Sequence, residues 1–207
     1  MPTRRDFLKQ SAAASAFASP LLAVRSGGGG RGGESQSPVV VSTWSHGLPA
    51  NEAAWDVLDD GGTALDAAVR GVAVPEADPE VRTVGRGGYP DRSGQVTLDA
   101  CVMDEKSRCG AVAALPHIQH PTAVARAVMD ETSHVMLAGE GALQFALDQG
   151  FEKTDLLTEQ SRRDWDEWTE EHDETTRPEP NIEDETGEDN HDTIGLLTLD
   201  ADGHLSG

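Results

Sequence analysis

Lysine is nearly missing from this sequence, occurring only at Lys9, Lys106 and Lys153. Lys and Arg together number 16 against 37 Asp and Glu, a formal net charge of -21. A surface with that balance repels phosphate backbones and anionic headgroups, which excludes nucleic acid and membrane surfaces as partners. Long apolar runs are also lacking. The small, uncharged stretch from Ser11 to Val24 is too short and too rich in alanine for a stable membrane span. Cysteine occurs only at Cys101 and Cys109, on either side of the turn Asp104-Glu105-Lys106-Ser107. If that turn pairs Met103 with Arg108, the two thiols point to opposite sides of the pleat and stay free. A register shifted by one residue reverses the expectation.

What the chain has in place of lysine is acid, and an Asp/Glu excess of this kind fits a salt-adapted, halophilic surface in which ions screen self-repulsion. An ordinary acidic protein is the other reading. The length of 207 residues suits one domain or at most two, with a real hydrophobic core. Thr3-Arg4-Arg5-Asp6-Phe7-Leu8-Lys9 followed by the Ser11–Val24 run reads as a twin-arginine export signal over residues 1–26. Export by that route places the protein outside the cell, at the cell surface or in the periplasm, with no membrane contact beyond the signal. Residues 27–37, containing Gly27-Gly28-Gly29-Gly30, form a linker with nothing to bury. The domain proper spans residues 38–207, divided into a first-segment core at 38–171, an acidic arm expected to be disordered at 172–192, and a final segment at 193–207.

Within the core, Val39-Val40-Val41 reads as a strand running to Trp44, and Pro49 and Asn51 open a helix over Glu52–Asp60 that Gly61-Gly62 closes. Thr63 caps a second helix whose Leu65, Ala68, Val69 and Val72 share a face, with a break from Ala73 to Pro79. The glycine-rich stretch Val84–Gly94 lacks the Lys-Ser/Thr of a phosphate loop, and its glycines serve close backbone approach and positive φ. A hairpin is expected over Gln95–Asp104 and Arg108–Leu115. Helices follow at Pro121–Met129, Gly141–Gln149 and Thr158–Glu171, the last with a Trp165/Trp168 stripe. Such blocks of strand and helix predict a layered α/β protein of the α+β type. His117-x-x-His120 invites a metal reading, but no carboxylate or thiol stands at matching spacing and Pro121 disrupts a shared helical face, so no metal is expected.

The chemistry centres on His191-Asp192-Thr193-Ile194-Gly195, between the acidic arm and the apolar run Ile194–Leu199. A threonine opening a strand is, taken alone, a β-branched residue in a sheet. If the peptide bond before it breaks, its freed α-amino group, with an ordinary pKa of about 7.7 to 8.0, becomes a base beside its own hydroxyl. One residue then supplies nucleophile and base. Five further segments stand in order upstream: Val41-Ser42-Thr43-Trp44, Gly61-Gly62-Thr63-Ala64-Leu65-Asp66-Ala67, Val84–Gly94, Leu98-Asp99-Ala100-Cys101 and His134-Val135-Met136-Leu137. With them, the chain from about Val39 onward resembles the glycosylasparaginases, N-terminal nucleophile hydrolases of the asparaginase type 2 superfamily.

That resemblance implies a four-layer αββα sandwich with two antiparallel sheets inside and the threonine at the end of a central strand. It makes Thr193 the catalytic nucleophile, Asp192-Thr193 the bond cut by the chain itself, Asp192 a local base and His191 a residue that positions the arm. It makes Trp44 a wall of the substrate pocket. No cofactor is implied. The substrate is a small β-aspartyl amide, either N-glycosylated asparagine or asparagine itself, and a homodimer of processed chains is the expected assembly. An isoaspartyl peptidase or plain L-asparaginase shares the fold and chemistry and is the nearest alternative, disfavoured by His191-Asp192 and Trp44. The family's segment after the nucleophile carries a second threonine, an arginine and an aspartate that grip the substrate, and the oxyanion hole. None has a counterpart position before Gly207. The expectation is therefore a chain with the C-terminal half missing, inactive by itself, or a truncated non-catalytic homologue serving as a binding or assembly subunit.

Overall fold

Residues 38–171 and 193–207 are described by a computed structural model. The expected signal and linker, the arm at 172–192, and with it His191 and Asp192, lie outside the described residues. Strand β1 (Val39–Ser42) enters helix α1 (Gly47–Asp59), which starts five residues before the Glu52 expected from the sequence. Pro49 lies in its first turn, where a backbone N–H has no helical partner to lose. Gly61 at φ 80° ends the helix, its N–H donating to the Leu58 carbonyl at 3.1 Å. Helix α2 (Ala64–Ala77) begins as its sequence implies, with the Thr63 hydroxyl accepting from the Asp66 N–H at 3.2 Å. Its expected break at Ala73 does not occur. Pro75 sits in the last turn, where only one backbone bond is forgone, and both Pro75 and the following Glu76 are buried. Gly71 lets α2 approach α1, since a Cβ there would meet the Ala50 carbonyl oxygen at 2.7 Å.

The loop before the hairpin has Gly85, Gly87 and Gly94 at positive φ, as its glycines foretold, and a Cβ on Gly85 would lie 2.2 Å from the Glu76 carbonyl oxygen. Strands β2 (Thr97–Met103) and β3 (Cys109–Pro116) form the hairpin, whose turn is fastened by Asp104 accepting from the N–H groups of Lys106 and Arg108 at 2.9 and 2.8 Å. Met103 pairs with Cys109 and Cys101 with Ala111, one residue away from the expected register. The two cysteines therefore share a face. They stand diagonally and remain free, because diagonal neighbours are about 7 to 8 Å apart, at or beyond the reach of a disulfide.

Helix α3 (Pro121–Glu131) buries Val124, Ala125 and Val128, as expected, and carries the chain back to β4 (Met136–Ala138), which runs parallel to β3. The sequence reading contained no strand there, and the pairing departs from the wholly antiparallel sheets that the resemblance implied. Helix α4 (Gly139–Asp148) and the polar helix α5 (Glu159–Glu171) follow. The tryptophan stripe of α5 grips the glycine-rich loop. Trp165 packs on Gly94, the Arg92 guanidinium lies 5.1 Å from the Trp168 ring centre, and the Ser161 hydroxyl donates to the Gly87 carbonyl at 2.6 Å.

Strand β5 (Leu196–Leu199) turns at Asp200 into β6 (Leu205–Ser206). The strands form two mixed α/β half-layers, ordered β1-β5-β6 and β2-β3-β4. They meet edge to edge where Met103 and Gly207 exchange both backbone hydrogen bonds, at 2.8 and 3.0 Å. Helices α1 and α2 pack on the first half through Ala54, Leu58, Ala68 and Leu196, and α3 and α4 on the second through Val112, Leu115, Val124 and Leu143. The register pairs Val41 with Leu197 and Leu199 with Leu205, and sets Met136 beside Ala111. Val41, Leu197, Leu205, Met103 and Met136 are all about half exposed. Among the described residues the fold thus has one helix layer and one sheet layer, with an apolar sheet face uncovered.

Candidate functional site

The turn between β1 and α1 determines how the start of β5 is held. Ser42 pairs with Leu196, and one residue further along the Thr43 N–H donates to the Gly195 carbonyl at 3.0 Å. The Gly195 N–H returns a bond to the Thr43 hydroxyl at 2.9 Å. Trp44 then takes φ 62°, a conformation that a bulky side chain adopts only when its surroundings impose it. Its carbonyl accepts from the Gly47 N–H at 3.1 Å, so the left-handed residue reverses the chain directly into α1. His46, at the helix N-cap, makes no side-chain cap bond to α1. Its half-buried ring lies near the Thr193 backbone, which favours the charged ring, while burial disfavours it.

Thr193 is the first described residue after the arm and is exposed. Two residues on, Gly195 is held by Thr43, and Thr193 itself borders a groove of about 1090 Å³. Thr193–Leu197, Thr97–Val102 and Ala68 and Val72 of α2 are among the residues that line that groove. The segment of the expected nucleophile and the Trp44 turn are therefore brought together through Thr43 and Gly195. Burial lowers the pKa of His46 from its ordinary value and outweighs the nearby Thr193 backbone, so the imidazole is neutral near pH 7.

His120 is used structurally: its Nδ1 lies 3.0 Å from the Glu76 carboxylate and its Nε2 3.3 Å from the Gln119 amide. His117 stands at φ 61° at the end of β3. The described residues contain no group of three or more His, Cys, Asp or Glu arranged to hold a metal. Thr43 and His46 escaped sequence reasoning. Thr43 stands in a quoted segment but carries no mark of its bond across to Gly195, and a single histidine before a glycine has no pattern to single it out.

A family profile described as Asparaginase matches residues 19–207. The chain is similar to an N(4)-(Beta-N-acetylglucosaminyl)-L-asparaginase of Elizabethkingia miricola, at 50% identity over 208 residues, covering 99% of this chain and 58% of that protein. It is also similar to proteins of the same name from Mus musculus and Rattus norvegicus, at 44% and 43% identity over 137 residues, which is 66% of this chain and 39% of each of theirs. The chain thus spans between two fifths and three fifths of the length of these curated relatives.

Proposed function

From the premise that the chain belongs to the Asparaginase family, we propose that it is the nucleophile-bearing portion of a glycosylasparaginase-type amidohydrolase. The observation that carries the reading is the placement of Thr193: exposed, at the entry to a strand, facing a groove, with the residues behind it fastened to the Trp44 turn. In the proposed maturation, Thr193 Oγ attacks the carbonyl carbon of Asp192, the C–N bond gives way to an ester, and the nitrogen keeps its proton and gains one. Water then hydrolyses the ester, leaving the Asp192 carboxylate and a free Thr193 amine. In turnover the amine takes the hydroxyl proton, Oγ attacks the side-chain amide of the asparagine, and the amine returns the proton to the departing glycosylamine or ammonia. Water releases aspartate from the β-aspartyl ester. Trp44 supplies a flat apolar wall, and Asp192 and His191 assist the first cleavage only.

Export by the twin-arginine route, a halophilic surface and a homodimer of processed chains belong to the same proposal. Its support is the Arg4-Arg5 pattern and the charge of -21. The test is intact mass spectrometry of the full chain. The full chain is expected to yield a fragment beginning at Thr193 and to release the sugar from glycosylasparagine, and Thr193→Ala to abolish both. A full chain that matures and turns over normally as Thr193→Ala would refute the assignment.

A further inference from the structure

We propose that Tyr89 is a specificity-determining residue, a flat seat on which the sugar of a glycosylated asparagine stacks while its amide is presented to Thr193. The proposal rests on the glycosylasparaginase-type reading above. Tyr89 belongs to the glycine-rich loop and lines the same groove as Thr193 and Ile194. It is 60% exposed, although the loop that carries it is tightly fastened. Two residues earlier, Gly87 stands at φ 90° and its N–H donates to the Leu156 carbonyl at 2.9 Å. The Gly87 carbonyl accepts from Arg82 Nε at 2.9 Å and from the Ser161 hydroxyl at 2.6 Å.

Arg82 holds the ring as well as the loop. Its guanidinium lies over Tyr89, 4.9 Å from the ring centre, and bonds the Asp164 carboxylate of α5. The ring is thus backed by a cation that is itself pinned at two points, and its exposed surface belongs to the groove. With one positive charge already over the ring, the open face is a poor seat for a second, such as the α-amino group of the substrate. A neutral pyranose suits it, because the CH groups on one face of the sugar lie flat on the ring while its hydroxyls stay in water. Asparagine itself has no such surface, so the ring separates the glycosylated substrate from the plain one. A purely structural role, covering the Arg82 stem, needs apolar bulk and not a flat ring.

Two variants of the full chain separate these roles. Tyr89→Phe keeps the ring, and Tyr89→Leu keeps apolar bulk without it. Loss of the stacking surface predicts a kcat/KM on glycosylasparagine about tenfold lower in Tyr89→Leu, carried by KM, with asparagine hydrolysis reduced no more than about twofold. Tyr89→Phe is expected to stay within about threefold of the parent on both substrates. A Tyr89→Leu chain that matches the parent on glycosylasparagine, or loses equally on both substrates, would overturn the proposal. A second measurement depends on neither turnover nor the folding of Tyr89→Leu. The ring resonance of Tyr89, identified in the full chain by its loss in Tyr89→Phe, should shift as N-acetylglucosamine is titrated in, and a resonance that stays in place would overturn the sugar contact. If the parent chain hydrolyses neither substrate, the amidohydrolase reading fails, and the titration alone decides whether Tyr89 seats a sugar.

Discussion

Replacing Glu76 with alanine should unfold this domain far more readily than any surface change. Glu76 is 1% exposed, at the end of α2, and its carboxylate accepts from the Thr122 N–H at 3.1 Å and lies 3.0 Å from His120 Nδ1. Thr122 belongs to the first turn of α3, whose own N-cap residue, His120, makes no side-chain cap bond. A residue 46 positions away in sequence therefore performs the capping that a local Ser or Asp usually performs, and its negative charge meets the positive end of the helix dipole. Alanine leaves a buried N–H without an acceptor, at about 1 to 3 kcal/mol, and removes a packed side chain. A total near 3 kcal/mol is the expected order. Glu76→Gln keeps the volume and one acceptor oxygen and should cost about 1 kcal/mol.

Urea titration followed by circular dichroism reads both variants, with the difference taken from midpoints at a common slope. A loss below about 0.5 kcal/mol in Glu76→Ala would show that water or a neighbouring group satisfies the α3 terminus and that the tertiary cap is incidental. Equal losses in Ala and Gln would place the effect in the charge and not in the bond to Thr122.

Asp200 is buried and accepts from the N–H groups of His204, Asp202 and Ala64. Burial pushes its pKa up, but those N–H groups and the nearby His204 together hold it below the ordinary carboxylate value. A depressed folded pKa means stability that is present above the unfolded value near 3.9 and is lost as pH falls through the folded one. Urea midpoints should therefore drop below about pH 4, and an equally steep acid limb in Asp200→Asn would contradict this. Changing Arg4 and Arg5 together to lysine should stop export while synthesis continues, since a receptor that reads the guanidinium pair is not satisfied by ammonium groups; unchanged secretion on fractionation would refute the signal. Circular dichroism across a salt series should show structure lost below roughly molar salt, and a flat profile would mean the acidity is no adaptation.

Local chemistry made much of the fold legible. Thr63 and Asp66 mark the start of α2 within four residues, Pro121 marks α3, and the positive-φ glycines mark the loop before the hairpin. The failures share a different cause. Helix α1 begins at Gly47 because Trp44 is forced into a left-handed turn by the bonds between Thr43 and Gly195, partners 152 positions apart. The hairpin register slipped by one because Asp104 takes both the Lys106 and Arg108 N–H groups, leaving Met103 opposite Cys109. Strand β4 has three residues and exists only because β3 offers an edge. Of the candidate site, Thr193 and Trp44 were singled out from their neighbours in sequence, whereas the bonds between Thr43 and Gly195 arise only when β1 and β5 pair.

That pairing also sets what salt can do. The sheet is covered by helices on one side only, and Val41, Leu197, Leu205, Met103 and Met136 lie about half exposed on the other. Faces this apolar associate more strongly as salt rises, while the acidic side chains of the protein as a whole repel less. Both effects favour the ordered state at high salt, so a circular dichroism transition alone does not tell screening from self-association. Protein concentration separates them: screening within one chain leaves the salt midpoint unchanged across a tenfold dilution, whereas burial of the open face between chains moves it to higher salt. Because Thr193 lies just ahead of β5, whose first residues are Leu196 and Leu197, the same dilution series reports on the strand that follows the proposed nucleophile.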